Sequence, residues 1–134
     1  MGSQHEPIPL QAVCSFVFST KHREPLLLSP LRGQMLAYLA TVLKNQESPA
    51  VRVGGTSDHV HILFRISKNS SLAKIVEEIK TSSSKWAKTQ ESALSNFYWQ
   101  SGYGAFSVGP AEVEAVAEYI AQQEAHHRAV SFQD

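Results

Sequence analysis

Two histidines one residue apart, His59 and His61, lie inside "TSDHVHILFRI" (56–66), a run otherwise suited to a buried β-strand. Side chains alternate along a strand, so Val60, Ile62, Phe64 and Ile66 share the apolar face while His59, His61, Leu63 and Arg65 share the other. Neighbouring same-face Cα atoms are roughly 6.6 Å apart. That spacing lets two ring nitrogens converge on one ion at bond lengths of about 2.0–2.2 Å. The pair is therefore open to three readings: half-exposed imidazoles capped by backbone groups, a metal site, or half of an active site.

A second constellation lies sixty residues downstream in "EVEAVAEYIAQQEAHH". Val113, Val116, Ala117 and Ile120 form an apolar stripe at helical spacing, and Tyr119 falls beside it, aligned with Glu112, Ala115, Gln122 and Gln123. Tyr119 and Gln123 are i, i+4 neighbours, which brings a phenol and an amide to the same spot. A free phenol is ionised in only about one molecule in a thousand at pH 7. As a nucleophile towards a phosphodiester it needs a metal or a base, and the histidine pair could hold that metal with Gln123 completing its shell. The plainer reading is a tyrosine at the edge of the core.

The elements that must position these groups follow from periodicity. An apolar, β-rich strand is expected over 12–21, a helix over 29–46 with Ser29 as N-cap and Pro30 in its first turn, and a strand over 49–57 running into a Gly-Gly turn. The histidine run is its antiparallel partner. A second amphipathic helix is expected over 71–88, an irregular aromatic loop and short strand over 97–108, and a third helix over 109–127 that starts at Pro110. The order β-α-β-β-α-β-α predicts an α+β, ferredoxin-like antiparallel sheet with helices packed on one face plus a C-terminal helix carrying Tyr119. That fold alone decides no function.

Residues 1–11 are expected to be unstructured, with a single domain over 12–134. The apolar runs fall short of a membrane span, and no signal-peptide core opens the chain. The one cysteine, Cys14, makes no internal disulfide, so a cytoplasmic location is expected. Net charge is zero, with 12 basic and 12 acidic residues. The distribution is uneven: Arg65, Lys68, Lys74, Lys80, Lys85 and Lys88 face only Glu77 and Glu78, whereas acids dominate from 110 onward. A neutral chain with a basic segment can hold a phosphate backbone locally. Lys74, Lys85 and Lys88 share one helical face suited to phosphates, and Arg65 shares the histidine face. Trp86, Phe97, Tyr98, Trp99, Tyr103 and Phe106 could stack unpaired bases; Tyr103, between two glycines, is the best exposed candidate, while Trp86 and Phe106 are expected in the core.

"HVH", with "WQSGYGAFSV" and "VEAVAEYIAQQEAHH" after it, resembles the single-tyrosine transposases of the histidine–hydrophobic–histidine type, the insertion sequence 200 group. The likeness runs from about Ala12 to Asp134. It implies that His59, His61 and Gln123 bind a divalent ion, magnesium or manganese, and that Tyr119 is the nucleophile. It also implies single-stranded DNA with hairpin structure as substrate, a 5′-phosphotyrosine intermediate, and a homodimer whose subunits share the active site. Two other functions remain open: a catalytically silent hairpin-binding module, and a zinc-dependent hydrolase using the histidine pair with His126 or His127.

Overall fold

The computed structural model describes residues 12–122 of the 134-residue chain. Four strands, β1 (Val13–Ser19), β2 (Ala50–Gly55), β3 (His59–Arg65) and β4 (Gly104–Val108), form one antiparallel sheet in the order β2-β3-β1-β4. Helices α1 (Leu31–Asn45) and α2 (Leu72–Gln90) follow β1 and β3. A third helix, α3, occupies 113–122 after a 3-10 turn at Pro110–Glu112. This is the expected ferredoxin-like arrangement, with the added helix at the C-terminal side.

The sheet buries both faces. Phe16, Phe18, Val60, Ile62 and Phe64 join Met35, Leu39 and Leu43 of α1 and Ile75 and Ile79 of α2 in the main core. On the other face Val13, Leu63 and Val108 pack under Ala117 and Ile120 of α3. This division follows from the strand period of two meeting helices that each carry one apolar stripe.

Three local expectations are corrected. Gly54 and Gly55 are not a turn. They end β2, paired with His61 and Val60, and the turn is made by Thr56–Asp58, closed by Thr56 N–H donating to the His59 carbonyl at 2.9 Å. A Cβ at Gly55 would lie 2.6 Å from the His59 carbonyl oxygen, so the tight approach of the two strands requires glycine there. Ser29 does not cap α1, which begins at Leu31 with Pro30 in the cap position and no side-chain bond. The cap occurs on α2 instead, where Ser71 Oγ accepts Lys74 N–H at 3.2 Å.

The aromatic segment also sorts differently. Phe97 and Trp99 point inward, with Trp99 edge-on to Phe18 at 4.5 Å between centroids, and Thr20 bridges to Trp99. Trp86 is half-buried and stacks on Tyr38. Phe106, expected in the core, is 56 % exposed because β4 is an edge strand and α3 leaves that position uncovered.

Trp99 is tied to α2 through a buried bond, its Nε1–H donating to Ser83 Oγ at 2.8 Å while Ser83 Oγ donates to the Ile79 carbonyl at 2.6 Å. Ser83→Ala leaves the indole N–H without that acceptor in a dry site. Chemical denaturation should show a loss of about 1–3 kcal/mol; no loss would mean that the indole finds another acceptor.

Candidate active site

His59 and His61 project from β3 towards α3, as strand alternation requires, but they are not half-exposed. They retain only 8 % and 6 % of their surface, because α3 lies across this face of the sheet. The capped, half-exposed reading is thereby corrected. Each imidazole instead has a ring nitrogen held by a side chain from the sheet end or the neighbouring strand.

For His59 the anchor is its own neighbour. Nδ1 lies 3.0 Å from Asp58 Oδ1 and 2.8 Å from Thr56 Oγ1, and Thr56 Oγ1 also donates to Asp58 Oδ1 at 3.3 Å. An ionised carboxylate only accepts, so the proton sits on Nδ1. Asp58 also takes an ion pair from Arg23 Nη2 at 3.3 Å. Burial pushes the Asp58 carboxyl up, but hydrogen bonds from His59 and Arg23 and their nearby charge outweigh it, and the group titrates below the ordinary carboxylate range. Asp58 therefore remains an acceptor at neutral pH. The stability it contributes is lost only in acid, as pH falls through that lowered value.

His61 is held from β1. Its Nε2 is 2.7 Å from Ser15 Oγ, which is fully buried on the same sheet face, one register step away beside Leu63. The hydroxyl can donate or accept, so this bond fixes the orientation of the ring. Two imidazoles whose rings are oriented by such outer partners fit a divalent ion. Among the described residues no group of three or more His, Cys, Asp or Glu side chains gathers to hold a metal. Gln123, the expected third ligand, lies outside the described residues, as do His126 and His127.

Tyr119 is brought to the pair. Its ring is 58 % exposed and meets the His61 ring edge-on, with centroids 6.2 Å apart, within one chain. The helix that carries it is seated by Ile120, 1 % exposed, directly above Gly54. A Cβ on Gly54 would lie 2.7 Å from Ile120 Cγ2 and 3.3 Å from its carbonyl oxygen. Only a strand without a side chain at that position, opposite His61 in register, lets α3 come this close. At its start, Glu112 Oε1 accepts Gly109 N–H at 3.2 Å, so one of the acids of this helix serves its N-terminus.

The residues expected to contact DNA do not all converge. Arg65 shares the histidine face but stands four residues beyond His61, roughly 13 Å along the strand. There it lines a separate apolar cleft of about 590 Å³ with Val51, Val108, Val113 and Glu114. Lys85 and Lys88 line a groove on the far side of α2 together with Tyr98. Lys74 lies in the first turn of the same helix, roughly 16 Å away from Lys85. Tyr103 is 43 % exposed and rests edge-on against Phe16.

Asp58, Thr56, Ser15 and Gly54 escaped the reading of the sequence. Ser15 and Ser19 interrupting an otherwise apolar β1 on the histidine face, and Asp58 directly before the pair, were the available signals.

Known proteins share this fold. The IS200-like transposase family matches residues 11–123. A solved chain described as a transposase from Deinococcus radiodurans R1 superimposes with a TM-score of 0.69 at 15 % identity, over 89 % of this chain and 95 % of that one. A REP-associated tyrosine transposase, solved bound to a REP hairpin, gives 0.67 at 15 % identity over 91 % and 72 %. At that identity the likeness shows the fold. No protein of curated function matches the sequence. Among the described residues no helix is long and apolar enough to cross a membrane.

Gly54→Ala should lift α3 from the sheet and separate Tyr119 from His61. The expected stability loss is about 1–3 kcal/mol, typical of overpacking. The aromatic resonances of Tyr119 and His61 should shift in NMR spectra. Gly104→Ala, where an added Cβ meets nothing within 4 Å, should leave those resonances in place. Unchanged Tyr119 and His61 signals in Gly54→Ala would refute the seating role.

Proposed function

Because the chain belongs to the IS200-like transposase family, we propose that it cuts and rejoins single-stranded DNA at insertion-sequence ends through a covalent 5′-phosphotyrosine on Tyr119. The observation that carries this reading is the edge-on placement of Tyr119 against His61, with both histidines oriented by anchored ring nitrogens.

His59 and His61 would hold a divalent ion, magnesium or manganese, with Gln123 as the third protein ligand. When bound, that ion supplies polarisation of the scissile phosphate. Asp58 and Thr56 hold the ring of His59 in place, and Ser15 holds that of His61. Tyr119 Oη forms a bond to phosphorus, the bond from phosphorus to O3′ breaks, and the phenol proton ends on the released 3′-hydroxyl. The phosphodiester energy is kept in the tyrosine ester, so a second DNA 3′-hydroxyl can reverse the step without ATP.

The REP-associated relative is bound to a hairpin, which supports hairpin-bearing single strands as this chain's substrate. A homodimer is part of the proposal. Where the family resemblance implies a tyrosine lent to the partner's histidines, the geometry supports Tyr119 serving the histidines of its own chain.

Wild type and Tyr119→Phe, each incubated with manganese and a labelled single strand bearing a hairpin, test the reading. Wild type should give a denaturation-resistant protein–DNA adduct and the variant none, a loss of at least about 100-fold. An adduct from Tyr119→Phe would remove Tyr119 from the role. Hairpin binding without any adduct from wild type would favour a silent binding module. Cleavage with tight stoichiometric zinc and no adduct would favour a hydrolase.

A further inference from the structure

The groove on α2 is built differently from the rest of the surface. It holds about 330 Å³ and is lined by Lys80, Thr81, Ser84, Lys85, Lys88 and Tyr98, with the edge of Trp99 beneath. None of these is a carboxylate. Tyr98 is 53 % exposed although both its neighbours, Phe97 and Trp99, are core residues, so its backbone is fixed while its ring stands in solvent. Lys88 Nζ sits 4.1 Å from the ring centroid and Lys21 Nζ 5.9 Å. Ser84 Oγ, donating to the Phe97 carbonyl at 3.1 Å, accepts from Lys88 at 3.0 Å and so keeps that ammonium in the groove.

We propose that this groove binds a single-stranded stretch of DNA, with one unpaired base stacked on Tyr98 and Lys21, Lys85 and Lys88 pairing the flanking phosphates. The inference rests on the single-strand reading above and gives it a location. An exposed ring already attracting two ammonium groups is a platform for a base, and the lysines displaced from the ring face then meet the phosphates on either side. Lys80 is engaged elsewhere, its Nζ donating to the Gln100 and Gly102 carbonyls at 2.7 and 3.0 Å and so pinning the loop that follows Tyr98.

The groove is wired to the histidine end of the sheet. Lys21 N–H donates to the Tyr98 carbonyl at 2.9 Å, and Thr20 N–H donates to the Asp58 carbonyl at 2.8 Å. His22 and Arg23 between them adopt positive φ angles of 59° and 56°. That conformation costs non-glycine residues energy and is kept where surrounding bonds fix it; here His22 N–H donates to Gln100 Oε1 and Arg23 N–H to the Thr20 carbonyl. The same short segment thus presents Lys21 to the groove and Arg23 to Asp58, so a strand held at Tyr98 leaves it beside the site.

Fluorescence anisotropy with the full chain, a labelled unpaired oligothymidylate and a duplex of equal length tests this. Tyr98→Ala should weaken single-strand binding by about 5- to 150-fold, with Tyr98→Phe close to wild type. Lys88→Gln should lower the salt slope of single-strand binding by about 0.7. Tyr98→Ala binding the single strand as wild type does, or losing duplex affinity equally, would overturn the proposal, and so would an unchanged salt slope in Lys88→Gln. If those results came while wild type still formed its Tyr119 adduct, the groove alone would be wrong. If wild type neither bound the single strand nor formed the adduct, the functional reading would fall and the groove with it.

Discussion

Ile120 resting on Gly54 is the contact from which the candidate site follows. The sheet would otherwise present its second face to water, with His59 and His61 standing on it as ordinary polar strand residues. A helix can settle there only if one strand position is empty of side chain, and Gly54, opposite His61 in register, is that position. Ala117, Leu63, Val13 and Val108 then close a small second core around the contact. Burying such side chains stabilises each by roughly 1.5–3 kcal/mol at full burial, so the docking needs no large interface. It also fixes the rotation of α3, and with Ile120 facing down, Tyr119 faces the histidines from the rim.

Burial has a chemical consequence for the imidazoles. A histidine removed from water must have its polar nitrogens engaged, and the side chains that engage them also fix the orientation of the ring. Asp58 with Thr56 places the His59 proton on Nδ1, while Ser15 on the adjacent strand holds His61 through Nε2. The Arg23 ion pair keeps Asp58 ionised and ties this arrangement to the Thr20–Glu24 segment. Cys14, by contrast, is only a partly buried thiol whose pKa burial raises, which suits packing rather than reactivity.

Much of this was legible before any coordinates. Alternation in "HVHILFRI" placed the histidines on the face opposite the core, and the stripe Val113, Val116, Ala117, Ile120 placed Tyr119 at its margin, because both depend only on the period of the backbone. Resemblance supplied the roles. What stayed hidden depends on what lies across from a residue. Gly54 and Gly55 read as a turn because glycine marks both turns and close approaches, and only the third dimension tells them apart. Phe106 read as core because an edge strand looks like any other in one dimension. Ser15, forty-six residues from His61, carries no local mark of its partner. Tyr98 is one of several candidate stacking aromatics, and nothing in the sequence separates it from its buried neighbours Phe97 and Trp99.

The proposed chemistry turns on whether Tyr119 serves the histidines of its own chain, which its ring contact with His61 favours, or those of a partner. Mixing His61→Ala with Tyr119→Phe, under conditions where heterodimers are shown to form, addresses it most directly. With the intrachain contact as the working geometry, neither half of the heterodimer holds a complete site, and the mixture should form no more DNA adduct than the variants alone. Recovery of adduct towards a quarter to a half of the wild-type level (roughly what one intact site among statistically mixed dimers supplies) would contradict the account and place Tyr119 at the partner's histidines.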